Sequence, residues 1–199
     1  MSGQTDRARC TEKAPSVLIP LAPGCEELEA VTIIDLLRRA AMNVRVVGLN
    51  QTEITASRGV RLIADYRLDD IIEHPFDLMV MPGGMPGAQH LANDERILQL
   101  ARRIYAEGGF VAAICAAPKV LWKAGLLKGR KATSFPGHLP EDNPAFTYLE
   151  DPIVTDGRIV TSRGPGTAMD FTLHLIALLL GQEKRIEVES LLMRPQLMD

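Results

Sequence analysis

Cysteine is scarce: Cys10, Cys25 and Cys115 are the only three in 199 residues. An odd, widely spaced set resembles neither a disulfide framework nor a zinc cluster, so a reducing compartment, the cytoplasm, is the expected location. Among the four histidines no pair has metal-ligand spacing, and no metal is expected. Long apolar runs are missing too. The most apolar window, FTLHLIALLLG, falls far short of the ~20 residues that cross a bilayer, and it carries His174. The opening MSGQTDRARCTEKAP is polar, without the apolar stretch of a secretory signal. Residues 1–14 therefore read as a flexible tail, and residues 15–199 as one domain. Nor is there a surplus of positive charge: 22 Lys and Arg stand against 25 Asp and Glu, a net charge of -3. That balance argues against nucleic acid or an anionic membrane as a partner. No internal repeat or low-complexity segment occurs.

What is present suits one compact core, since 46% of the residues are apolar and 24% charged, enough hydrocarbon to offset the entropy of ordering the chain. SVLIPLA reads as a strand buried on both faces and ended by Pro23-Gly24. CEELEAVTIIDLLRRAAMN follows at helical spacing, with Leu28, Val31, Ile34 and Leu36–Leu37 as its apolar positions, acids in its first turn and Arg38 and Arg39 in its last. Further strands are expected at VRVVGLN, DLMVMPGG, FVAAI and RIVTS, and further helices at DERILQLARRIYAEGG, from about Ala116 to Ala124, and at GTAMDFTLHLIALLLG. This alternation predicts an α/β fold with a mainly parallel, twisted sheet between two layers of helices. TEITASRGVRLIADYRLDDI alternates differently and predicts a small hairpin insertion. FPGHLPEDNPAF, rich in proline and turn residues, predicts a loop on the binding side.

Parallel sheets gather ligands at the carboxyl ends of their strands. There the sequence delivers PGCEELE, PGGMPGA, CAAP and RGPGTA. Cys115, between a strand and a helix, holds the position of a nucleophile elbow, and the small Ala116 and Ala117 permit its tight turn. A helix N-terminus beside it would lower the thiol pKa and keep it largely ionised; the plainer alternative is a small buried hydrophobe. Of the acids in CEELE, Glu29 is the candidate neighbour, because Glu26 and Glu27 are explained by the helix dipole. Against a thiolate, desolvation and like charge would raise its pKa and let it shuttle protons. Otherwise it is a solvated helix acid. Gly83 and Gly84 offer amides for an oxyanion, or simply form a turn. His174 reads as a packed core or interface residue, His74 and His90 as surface positions, and His138, in the loop above the site, as either a catalytic base or an ordinary loop residue.

PGCEELEAV, VMPGGMPGA, AAICAAP and TSRGPGTAMDF resemble, in order and separation, the motifs of the ThiJ/PfpI family, on the branch of bacterial YajL and the parkinsonism-associated protein deglycase. The resemblance runs from about Ser16 to Arg185. It implies a flavodoxin-like three-layer sandwich, a homodimer with Asp35, Arg39 and Pro165 near the contact, and no cofactor. Catalysis would fall to Cys115 and Glu29, with Gly84 and Ala116 as backbone donors and Arg58, Arg163 and His138 as contacts for substrate or an anion. The implied activity is of glyoxalase or deglycase type, on reactive α-oxoaldehydes or their early protein adducts. The alternative is a redox-responsive protective chaperone or sensor, whose central cysteine oxidises to the sulfinic acid. Phe135 stands where many members with that activity have histidine. Ala116 follows the nucleophile where peptidase-like members have histidine, which disfavours proteolysis.

Overall fold

The computed structural model describes residues 14–194; the expected tail, apart from Ala14, and Cys10 within it lie outside this range. Seven strands form the central sheet, in the order β10-β11-β7-β6-β1-β2-β5. Its heart is β1 (Ser16–Leu21), β2 (Asn43–Gly48), β6 (Leu78–Met81) and β7 (Phe110–Ile114), all paired in parallel. β11 (Ile159–Ser162) adds to β7 in parallel, while β10 (Ile153–Asp156) closes that edge antiparallel to β11. The short β5 (Tyr66–Arg67) covers the other edge beside β2. Every residue of β1 and β6 is buried, as an unbroken apolar run covered on both faces requires.

α1 (Glu27–Arg39) and α6 (Ala168–Leu180) pack together on one face. α3 (Gly87–Asn93), α4 (Glu95–Ala106) and α5 (Pro118–Lys123) cover the other. α2 (Leu68–Ile71) follows β5, and α7 (Gln182–Ser190), which the sequence did not suggest, packs on α6. The architecture is the expected flavodoxin-like sandwich. The predicted hairpin is β3 (Glu53–Thr55) against β4 (Arg61–Ile63), antiparallel. A further parallel pair, β8 (Lys131–Ala132) and β9 (Thr147–Tyr148), brackets the proline-rich loop. Among the described residues no helix is long and apolar enough to cross a membrane.

Two local expectations need correction. The core-facing residues of α1 are Glu29, Ala30, Ile33, Leu36 and Leu37, whereas Leu28 and Val31 are 51% and 48% exposed. α1 has apolar residues on two sides, and only contact with the sheet decides which is buried. The helix after Cys115 begins at Pro118 rather than Ala116, because residues 115–117 form a turn.

Candidate active site

The carboxyl ends of β1, β6 and β7 lie side by side, which brings residues distant in sequence to one point. Register aligns Met81 of β6 with Ala113 of β7, so the Pro82–Gly84 turn runs past Cys115. Cys115 has φ of 62°, a left-handed conformation rare for a residue with a side chain. Two hydrogen bonds brace it: its amide donates to the Ser162 carbonyl and its carbonyl accepts from the Phe135 amide, both at 2.9 Å. This is the elbow geometry predicted from the sequence.

The glycines exist for closeness. A Cβ at Gly83 would come within 2.7 Å of the Cys115 Cβ, and one at Gly84, where φ is 84°, within 2.3 Å of the Glu26 amide nitrogen. Without side chains the turn can deliver its amides. Gly83 N–H donates to Glu29 Oε2 at 2.7 Å, while the amides of Gly84 and Ala116 address the Cys115 sulfur. Gly83 is thus committed to the carboxyl group, a correction to its reading as an oxyanion donor; Gly84 and Ala116 hold the positions expected of them.

Glu29 is fully buried. Its second oxygen, Oε1, has no hydrogen-bond partner among the described residues, and the Cys115 thiol is its neighbour. Burial pushes the carboxyl up from 4.5 to about 7, with a smaller contribution from the Glu26 charge, against the lowering effect of the Gly83 amide and of Cys115. The expected direction holds, with burial as the leading cause. The expected low thiol pKa does not. Burial first, then the Glu29 charge, pushes Cys115 up to about 12, while the Gly84 and Ala116 amides pull it down. α5 starts three residues later and has only six, so its dipole does little for the sulfur. Protonating Glu29 removes the opposing charge and supplies an O–H, so a proton on the carboxyl favours negative charge on the sulfur. Cys115 is 8% exposed and counts among the buried residues, so the elbow does not push its side chain into the open as such a turn was expected to do.

The remaining candidates lie around this pair. Arg163 follows Ser162, the residue that anchors the Cys115 amide, and its Nη1 is buried without a partner among the described residues. Arg58 is exposed; its amide donates to Glu27 Oε1 at 2.9 Å, and among the described residues no hydrogen bond joins its guanidinium to Cys115 or Glu29. Glu27 therefore ties the hairpin loop to α1, a role the helix dipole did not suggest. His138 is half-buried, edge-on to the Phe135 ring at 5.9 Å between centroids, and burial and then the Lys119 charge lower its pKa. Among the described residues no hydrogen bond joins its ring to Cys115 or Glu29. His174 is half-buried and shares a 2.8 Å hydrogen bond with Thr155 Oγ1, while His74 and His90 are exposed as expected. Asp35 and Arg39 form an exposed ion pair at 2.7 Å. Pro165 opens a single 3-10 turn. Cys25 is buried, and burial followed by the Glu27 charge raises its thiol to about 12. Among the described residues no three His, Cys, Asp or Glu side chains converge as a metal site would need. Sequence reasoning missed Lys119, four residues past the cysteine in APK; a lone cation on the first turn after the elbow was the available signal.

Known proteins share this framework. The family model described as DJ-1/PfpI matches residues 15–178. Protein DJ-1 homolog B of Arabidopsis thaliana is 40% identical over 90% of this chain. The chain spans less than half the length of the two Arabidopsis relatives, 41% and 47%. The glutathione-independent glyoxalase DJR-1.2 of Caenorhabditis elegans is 34% identical over 85% of this chain and 91% of its own. The crystal structure of Drosophila melanogaster DJ-1beta superposes with a TM-score of 0.88 at 39% identity, covering 92% of this chain and all of that one. With the family model matching most of the chain and a relative 34% identical over 91% of its own length, this chain belongs to the DJ-1/PfpI family.

Proposed function

We propose that this protein is a cysteine-dependent, cofactor-free glyoxalase or deglycase, acting on α-oxoaldehydes or their early adducts with thiols and amines. The observation that carries the reading is Glu29: a buried carboxyl next to Cys115, anchored by one oxygen to Gly83, with the other lacking a hydrogen-bond partner among the described residues. A carboxyl raised to about 7 can both give and take a proton near neutrality. The relative named a glutathione-independent glyoxalase supports the same chemistry.

For methylglyoxal, the Cys115 sulfur adds to the aldehyde carbon, and the oxygen takes up the proton to give a hemithioacetal. The Gly84 and Ala116 amides favour negative charge as it develops at the sulfur and its adduct. The Glu29 carboxylate then removes the proton from the former aldehyde carbon, forming an enediol, and returns it to the adjacent carbon. The result is a lactoyl thioester, which water cleaves to lactate and free thiol. One water is consumed, and the aldehyde is oxidised at the expense of its neighbouring ketone, so no external redox partner is required. Purified protein should form lactate from methylglyoxal without added thiol, and Cys115→Ser should lose that activity by at least about a hundredfold. Equal rates for the two proteins would refute the mechanism.

A second reading draws on the same contact. Two equivalents of peroxide convert a thiol to a sulfinic acid with release of two waters, and protonated Glu29 would donate a hydrogen bond to the sulfinate. The protein would then serve as a redox-responsive chaperone or sensor. Mass mapping after mild peroxide should place two oxygens on Cys115; oxidation spread over Cys10 and Cys25 refutes this role. A homodimer in the cytoplasm also belongs to the proposal. Its contact face is the exposed Leu28 and Val31 stripe with Val60, which is 48% exposed, on the hairpin loop tied to Glu27.

A further inference from the structure

The rim of the site is unevenly charged. On the α1 side stand Glu26 and Glu27, both accepting from Ser57 Oγ at 2.9 Å. On the other side of the elbow, four residues after Cys115, Lys119 stands on the first turn of α5. Its ammonium reaches only neutral acceptors, Gln89 Oε1 at 3.4 Å and the Met85 sulfur at 3.8 Å, and among the described residues no carboxylate pairs with it. Met85 adjoins Gly84, whose amide addresses the Cys115 sulfur. His138, close enough to feel the Lys119 charge, sits in the loop whose Phe135 amide binds the Cys115 carbonyl. Three segments that frame the sulfur thus converge on Lys119, which has no carboxylate partner among the described residues and has a second cation, Lys123, near it.

We propose that Lys119 is a specificity residue which receives the anionic end of the substrate, so that the site favours α-oxoaldehydes and adducts carrying a carboxylate or similar group over neutral ones. This rests on the α-oxoaldehyde reading and narrows its substrate class. The anionic tail extends toward α5, away from Glu26 and Glu27, and leaves the aldehyde carbon at the sulfur. An ammonium without a carboxylate partner in a half-buried setting gains more from such a group than a paired surface lysine, because no competing ion pair must be broken and screening is reduced.

Two measurements test this. The first does not depend on turnover: alkylation of Cys115 by iodoacetate and by iodoacetamide, followed by mass mapping. In each case a carbon–sulfur bond forms, iodide leaves and the thiol proton passes to solvent, so the ratio of rates reports the local charge. Lys119→Met and Lys119→Gln should lower the iodoacetate-to-iodoacetamide ratio about three- to tenfold, Lys119→Arg should keep it, and salt should reduce the difference. The second compares 4,5-dioxopentanoate, an α-oxoaldehyde bearing a carboxylate, with methylglyoxal. Lys119→Met should raise KM for the former relative to the latter. An alkylation ratio unchanged in both neutral variants overturns the proposal. If neither aldehyde is consumed by the native protein, the α-oxoaldehyde reading fails, while the alkylation ratio still decides whether Lys119 attracts anions at the sulfur.

Discussion

Replacing Glu29 by glutamine should make the protein more stable at alkaline pH than at acidic pH, measured relative to the native chain. Glutamine keeps the shape and can still accept from the Gly83 amide, which donates to Oε2 at 2.7 Å, but it never ionises. In the native chain the folded carboxyl ionises at about 7 instead of 4.5. Below pH 4.5 the carboxyl is protonated whether the chain is folded or not, and its contribution is fully present. Between 4.5 and 7 the unfolded chain releases the proton while the folded one retains it, so stability is lost as pH rises through the folded value. At roughly 1.4 kcal/mol per pH unit this amounts to about 3 kcal/mol. Other groups titrating over the range, His138 and His174 among them, occur in both proteins and cancel. Denaturant unfolding from pH 4.5 to 8 reads the difference directly, and thermal unfolding should show the variant's advantage growing by roughly 6–12 °C. A difference between the two proteins that stays flat across this range would refute the claim that burial governs Glu29.

The same variant, folded by circular dichroism, should lose lactate formation by about 10²–10⁴, the usual worth of a positioned acid–base group. Gly84→Ala should destabilise the chain by more than about 2 kcal/mol in denaturant titration, because the added methyl meets backbone at 2.3 Å and φ there is positive. Glu27→Ala should speed hydrogen exchange at the amides of Arg58 and Val60, both of which donate to its carboxylate, at a cost of about 1 kcal/mol of overall stability. Leu28→Lys should shift light scattering from dimer toward monomer if the exposed face of α1 is the contact; an unchanged mass would place the contact elsewhere.

Much of the fold could be read from local pattern. The runs SVLIPLA and FVAAI, too short and too apolar for surface helices, had to be buried strands, and their alternation with helices forces crossover connections and a parallel sheet. The elbow was legible because Cys115 stands between an apolar strand-like run and a helix-like one, and the small Ala116 and Ala117 after it permit a tight turn. The buried side of α1 was not legible, since Leu28 and Val31 match a helical period as well as Ile33 and Leu37 do, and only the sheet selects between them. α7 escaped notice because its polar sequence, QEKRIEVES, carries little periodic signal.

The sequence by itself determined the sheet, the thiol at its centre and the pool of acids from which a partner had to come, because these follow from short-range periodicity and turn chemistry. Tertiary structure decided the rest: that Glu29 is sealed against the sulfur, that Gly83 serves the carboxyl group while Gly84 serves the thiol, and that burial raises both ionisations. Such properties depend on how deeply a group is buried and what stands within a few ångströms of it, and those distances arise only when strands far apart in the chain come into register.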